Sequence, residues 1–223
     1  SLSQLSLIGV AGYEPDPETD SGWSRAPDWE RSSLIGRCTA VAGTFEWGLL
    51  GGLVRESTVI GASLQGELFQ WLGVRTEGHW QSSGGRDQPE GLQWSLGLEH
   101  RFASSLTLRM EHYYNGPGYG SIEAADAALA VETLRPGYLG RLYTAADIGY
   151  EFSPLLRGEL LYLRNWTDHS GLFSLYAVYS LTNESELAFT VSIPDGRSPG
   201  ARSLNSELGS LPSGCRLEYR LYF

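Results

Sequence analysis

The chain has 223 residues with 28 Gly, 12 Tyr and 7 Trp, and a formal charge of -10 in which every basic side chain is arginine. That charge argues against a nucleic-acid partner, because a phosphate-binding surface needs clustered Lys and Arg, and two cysteines are too few for a disulfide framework. No run approaches the roughly 18 to 20 consecutive apolar residues of a spanning helix, and no basic stretch followed by an apolar run opens the chain as a signal peptide would. The expectation is a mature chain with its signal removed, or a fragment of a longer one.

Period-2 alternation predicts twelve strands, in order 3-12, 32-43, 46-55, 57-68, 69-80, 92-103, 105-115, 140-152, 156-166, 171-181, 185-194 and 214-223. In the early strands the two parities compete, because EWGLLGGLVRE is apolar on both. From residue 92 the pattern is clear. Leu92, Trp94, Leu96, Leu98 and Phe102 share a parity with His100 and oppose Glu99 and Arg101; Leu106, Leu108 and Met110 oppose Arg109 and Glu111; Phe173, Leu175 and Tyr179 oppose Ser174 and Tyr176. Strands of about 9 to 11 residues with one apolar face suit a tilted crossing of a bilayer, and their mean hydropathy of -0.21 stays low because only alternate residues are apolar.

Connection length is a separate signal. The links at 13-31, 81-91, 116-139 and 195-213 are long and all fall at one end of the array; those at 44-45, 68-69, 104, 153-155 and 182-184 are tight and fall at the other. Outer-membrane barrels segregate their loops in this way. Trp80, Tyr114, Tyr150, Phe152, Trp166 and Phe223 stand near strand ends, where interfacial aromatic girdles would lie.

The chain ends CRLEYRLYF. A terminal Phe223 preceded by Leu221, Tyr219 and Leu217 at alternate positions resembles the C-terminal signal by which Gram-negative outer-membrane proteins are recognised by the barrel-assembly machinery. From about residue 92, LEHRFASSLTLRMEHYYNG, YLGRLYTAADIGYEFSPLLRGELLYLRN and the closing strand are loosely similar to the C-terminal half of porin-like proteins related to the alginate-export group, which are typically about twice this length. The resemblance implies an outer-membrane fold and location, not a substrate, and its length leaves room for further strands of a larger barrel.

If the apolar parity meets lipid, Arg75, Glu77, His79, Glu99, Arg101, Arg109, Glu111, Arg141, Asp147, Glu151, Arg157, Glu159, Arg216, Glu218 and Arg220 line the interior. They would form either a charge-lined passage or ion pairs that only brace the wall. Glu14, Asp16, Glu18, Asp20, Asp28 and Glu30 make an acidic connection with no EF-hand spacing, read as a solvated loop rather than a metal site. The four histidines, His79, His100, His112 and His169, form no nucleophile relay with the nearby serines, and neither G-x-S-x-G nor H-E-x-x-H occurs, so no enzyme is expected. Cys38 and Cys215, on strands two and twelve, should be free thiols.

The sequence therefore predicts a single-domain, all-β, antiparallel up-and-down transmembrane β-barrel in a bacterial outer membrane. It would pass small polar solutes and need neither cofactor nor metal. Its partners would be outer-membrane lipid and lipopolysaccharide, the assembly machinery during biogenesis, and other envelope proteins. The alternatives are a structural or partner-binding barrel in a larger surface assembly, and a soluble β-sandwich or barrel.

Overall fold

The computed structural model describes residues 3–14, 26–82, 90–134, 137–201 and 203–223. Twelve strands form one sheet in which each pairs antiparallel with the next: β1 (Ser3–Tyr13), β2 (Pro27–Ala42), β3 (Phe45–Val54), β4 (Ser57–Leu68), β5 (Leu72–Gln81), β6 (Gly91–Arg101), β7 (Leu106–Asn115), β8 (Leu142–Ser153), β9 (Leu156–Asn165), β10 (Gly171–Thr182), β11 (Ser185–Asp195) and β12 (Gly214–Leu221). This is the all-β, up-and-down order expected from the alternation. Among the described residues β1 pairs only with β2 and β12 only with β11, so the sheet has two free edges.

Register explains why the alternation was legible. Residues opposite one another share a face, and successive residues alternate faces. One row of partners runs Leu5, Cys38, Leu49, Ala62, Gly78, Trp94, Tyr114, Leu142 and Trp166, all small or apolar. A row of the opposite face runs Glu46, Gln65, Arg75, Gly97 and Glu111. The apolar face is the exposed one: Leu5 is 81% and Leu217 70% accessible, and Met110, Ile148, Leu160 and Leu175 are exposed in mid-strand. Only Val59, Ala125, Tyr143, Val178, Ala188 and Leu208 are buried apolar side chains among the described residues. Among the described residues few apolar side chains are packed away from solvent, and most apolar side chains of the strands stand on the exposed face.

Several boundaries differ from expectation for identifiable reasons. β2 begins at Pro27, not 32, because its hairpin with β1 continues past an irregularity at Val10–Gly12 to the pair Tyr13–Pro27. β5 begins at Leu72, not 69. Phe69 and Gln70 take left-handed backbone (φ 54° and 63°), and the turn closes through Trp71 N–H donating to Leu68 C=O at 3.2 Å. Positive φ at both central residues matches the right-handed twist of the flanking strands, although neither residue is a glycine. The connection 116–139 contains helix α1 (Ile122–Ala130), capped by Ser121, whose Oγ accepts from Ala124 N at 3.3 Å. Asp16, Glu18 and Asp20 of the acidic connection lie outside the described residues.

Candidate functional site

The two faces separate charge almost completely. From Ser33 to Leu221, every Asp, Glu and Arg within a strand falls on one face except Arg164 and Asp195, which lie on the other and approach one another to 3.5 Å. A cavity of about 810 Å³ lies on the charged face, spanning β4 to β10, so the sheet curves around it. A second of about 460 Å³ is lined by Arg37, Ser63, Glu77, His79, Gln93 and Tyr113.

Of the residues singled out from sequence, Arg75, Glu99, Arg101, Arg109, Glu111, Asp147 and Glu159 line the large cavity. Glu77 and His79 line the second. Glu151, Arg157, Arg216, Glu218 and Arg220 share the same face by register but stand away from both. Arg141 departs from its expected place in a strand. It precedes β8, with Nε donating to Gly118 C=O at 2.9 Å, because this end of the strand is tied to the β7–β8 connection. The ion pairs cross strands: Arg75 reaches Glu111 at 3.4 Å along one row, over Gly97, and Arg109 meets its register partner Asp147 at 2.9 Å, while Arg101–Glu151 at 3.2 Å and Arg109–Glu159 at 3.4 Å are diagonal. Arg220 contacts Glu186 at 3.0 Å and Glu218 at 3.2 Å. Most of these groups are substantially exposed, so each pair is worth at most about 1 kcal/mol and its value lies in fixing side-chain direction.

The uncharged face satisfies its few polar atoms locally. Trp94 Nε1 donates to Thr76 Oγ1 and Trp166 Nε1 to Thr144 Oγ1, both at 2.8 Å. His100 Nδ1 lies 2.6 Å from Trp71 C=O with its ring edge-on to Trp71 and Phe102, and His112 Nδ1 lies 2.8 Å from Thr144 Oγ1. These contacts hold both histidine rings against the wall. Cys38 and Cys215 are free and share this face with Leu5 and Val191, their respective partners in register.

Sequence reasoning missed a polar knot at the long-connection end of β7 to β11. Glu207, in the β11–β12 connection, accepts through Oε2 from Tyr143 Oη (2.5 Å), Asn165 Nδ2 (2.7 Å) and Gly140 N (3.2 Å), and through Oε1 from Leu139 N (2.9 Å). Its own N–H donates to Asp168 Oδ2 at 2.6 Å, Leu208 N donates to the buried Ser170 Oγ at 3.1 Å, and Leu204 N to Asp126 Oδ1 of α1 at 2.7 Å. Tyr143, Asn165, Ser170, Ser206 and Leu208 are buried here. The connection thus folds down onto the strand ends. Tyr138 and Tyr143 pack with Tyr113 of the inner wall. A lone Glu in an aperiodic loop carries no sequence signal of such a role.

Comparison of the chain with protein-family models, with curated proteins and with solved structures finds no match. The functional reading therefore rests on geometry. No group of three His, Cys, Asp or Glu side chains among the described residues converges in the manner of metal ligands. The arrangement can hold water and solute against a charged, hydrogen-bonding wall while its other side meets an apolar medium.

Proposed function

We propose that this chain is an outer-membrane β-barrel protein whose charged face lines a passage for small polar solutes. The observation that carries the reading is the inverted distribution of polarity. Along β6 and the residue that follows it, the exposed face runs from Leu92 to Phe102 without an Asp, Glu, Lys or Arg, about 33 Å in length. At the tilt of a transmembrane barrel this spans about 25 Å, the height of an outward apolar band. Trp80, Trp94, Tyr114 and Trp166 stand on that face toward the long connections; Phe102, Tyr150, Phe152, Tyr179 and Tyr219 stand on it toward the tight turns. Two aromatic belts flanking an apolar band fit two membrane interfaces.

In this reading Leu217, Tyr219 and Leu221 face lipid, and Phe223, fully exposed at the end of the chain, belongs to the signal read by the assembly machinery. The likeness to porins of the alginate-export group is part of the same proposal. The test is a planar-bilayer recording of the purified, folded protein. Stepwise conductance that scales with salt supports the passage, and a silent bilayer with verified insertion refutes it. The two free edges favour a second reading, a wall segment joined to other envelope proteins; stable partner chains after detergent extraction would support that instead.

A further inference from the structure

We infer that the passage prefers cations, and that Glu67 and Glu99 set this preference. The inference rests on the reading of the charged face as a passage and adds the class of solute. Five carboxylates and three guanidiniums line the large cavity. All three arginines are engaged: Arg75 by Glu111, Arg101 by Glu151, and Arg109 by both Asp147 and Glu159. Glu67 and Glu99 enter no ion pair among the described residues, and both are exposed to the cavity. The local field is therefore set by carboxylates left over after the guanidiniums are neutralised, not by a mixture of equal signs.

Register places these two groups in one row, with Gly73 between them on the intervening strand: Glu67 opposite Gly73, and Gly73 opposite Glu99. The two carboxylate-bearing backbones are then about 10 Å apart with no side chain between them. Nothing forces a glycine there by φ, and a Cβ would meet only the Glu99 backbone oxygen at 3.4 Å and its Cβ at 3.7 Å. The glycine leaves a slot that a hydrated cation can enter, flanked by negative charge on both sides. An anion in the same slot has no free guanidinium to meet.

A charge about 5 Å from a monovalent ion in water contributes about 1.4 RT, and salt at 0.1 M screens part of it. Screened at 0.1 M, two such groups lower a cation and raise an anion by about 1.7 RT each, a cation-to-anion permeability ratio on the order of 30 in 0.1 M KCl that falls toward unity at 1 M. The experiment is the reversal potential of the full-length protein in planar bilayers under a KCl gradient, for wild type, Glu67→Gln/Glu99→Gln, Glu99→Asp and Gly73→Arg. Wild type should be cation-preferring, the double amide close to unselective, Glu99→Asp nearly unchanged, and Gly73→Arg less cation-preferring than wild type, with single-channel conductance confirming that each variant inserts. Conductance with no selectivity or anion selectivity in wild type overturns the inference and leaves the passage standing, as does an unchanged reversal potential in the double amide. Absence of any conductance overturns both.

Discussion

Glu207 is the point at which the β11–β12 connection is locked to the sheet, and removing its carboxylate should release that connection while leaving the barrel wall intact. Four donors converge on it, two of them from side chains that are almost fully buried, Tyr143 at 2% and Asn165 at 1% accessibility. A buried donor left without an acceptor costs about 1–3 kcal/mol, more when the lost acceptor was charged. The space left by Glu207→Ala admits water, which restores part of this, so a local cost of about 3 kcal/mol is expected for the knot. Local opening then becomes about a hundredfold more frequent. Hydrogen exchange in detergent, read at the amides of Leu139, Gly140, Asn165 and Leu208, should show that acceleration. Amides of β4 and β5, remote from the knot, should not change. Glu207→Gln keeps one acceptor oxygen for the three donors at Oε2 but turns an NH₂ toward Leu139 N–H, so its effect should be intermediate, about 1–2 kcal/mol. If Glu207→Ala exchanges at the wild-type rate at Leu139 and Gly140, the carboxylate is not what holds the connection.

Other consequences are direct. Ile148→Arg, at mid-height on the apolar face, should cost about 2–4 kcal/mol in a bilayer, whereas Ser174→Arg on the cavity wall should cost under about 1 kcal/mol; equal, small effects in a lipid-reconstituted unfolding titration would contradict a lipid-facing wall. Replacing Phe69-Gln70 by Asn-Gly should stabilise the β4–β5 turn by about 1 kcal/mol, because both residues now occupy left-handed backbone that Asn and Gly enter at little cost; a lowered unfolding midpoint would count against it. Hydrogen bonds from its own backbone N–H and from Ser121 hold the Glu123 carboxyl below its ordinary value of 4.5. A folded-state value below the unfolded one stabilises above the unfolded value and is lost as pH falls through the folded one. The amides of the first turn of α1 should therefore lose protection on acidification below about pH 4.5, and Glu123→Gln should remove that dependence.

The alternation of β5 to β8 and of β10 to β12 was readable because one face of each strand is largely apolar and the partner register preserves that division, whereas β9 puts Leu161 and Leu163 on the charged face and Arg164 on the apolar one. β3 resisted assignment for a physical reason. Leu49 and Leu53 occupy one face and Leu50 and Val54 the other, so either parity satisfies the pattern, and only pairing with β2 and β4 decides it. The charged face was legible as a set, but its pairing was not, since Arg75–Glu111 reaches across an intervening strand over Gly97 and Arg101–Glu151 is a diagonal contact that depends on stagger. Helix α1 had a local signature in SIEAADAALA, a serine cap before an alanine-rich run, which a strand-only reading passed over. The Glu207 knot had none, because its members come from three separate connections and strand ends brought together only by the fold.

On the proposed outer-membrane reading, lipid would impose a demand on the two free edges, since an unsatisfied backbone group in hydrocarbon costs several kcal/mol. The stagger of the sheet indicates how β1 and β12 can meet that demand together. Following partners strand by strand, Ser3 at the tight-turn end of β1 is in register with Asp195 at the long-connection end of β11, a climb of nearly one strand length. That is about one residue per strand, or a stagger of about 12 for twelve strands, which corresponds to a tilt of about 35°, at the edge of the range for closed barrels. At that stagger Gly214 stands opposite Gly12 and Leu221 opposite Leu5, so all of β12 lies against β1, antiparallel, with Leu217, Tyr219 and Leu221 meeting Gly9, Leu7 and Leu5 on the apolar face. A larger stagger carries β12 past the end of β1; a smaller one flattens the tilt below that range. Leu5→Cys/Leu221→Cys, in a background with Cys38→Ser and Cys215→Ser, should therefore cross-link within one chain in membranes. A shift of the introduced pair by two residues should abolish the bond. Cross-linking between chains, or none at any register, would mean that other strands occupy these edges.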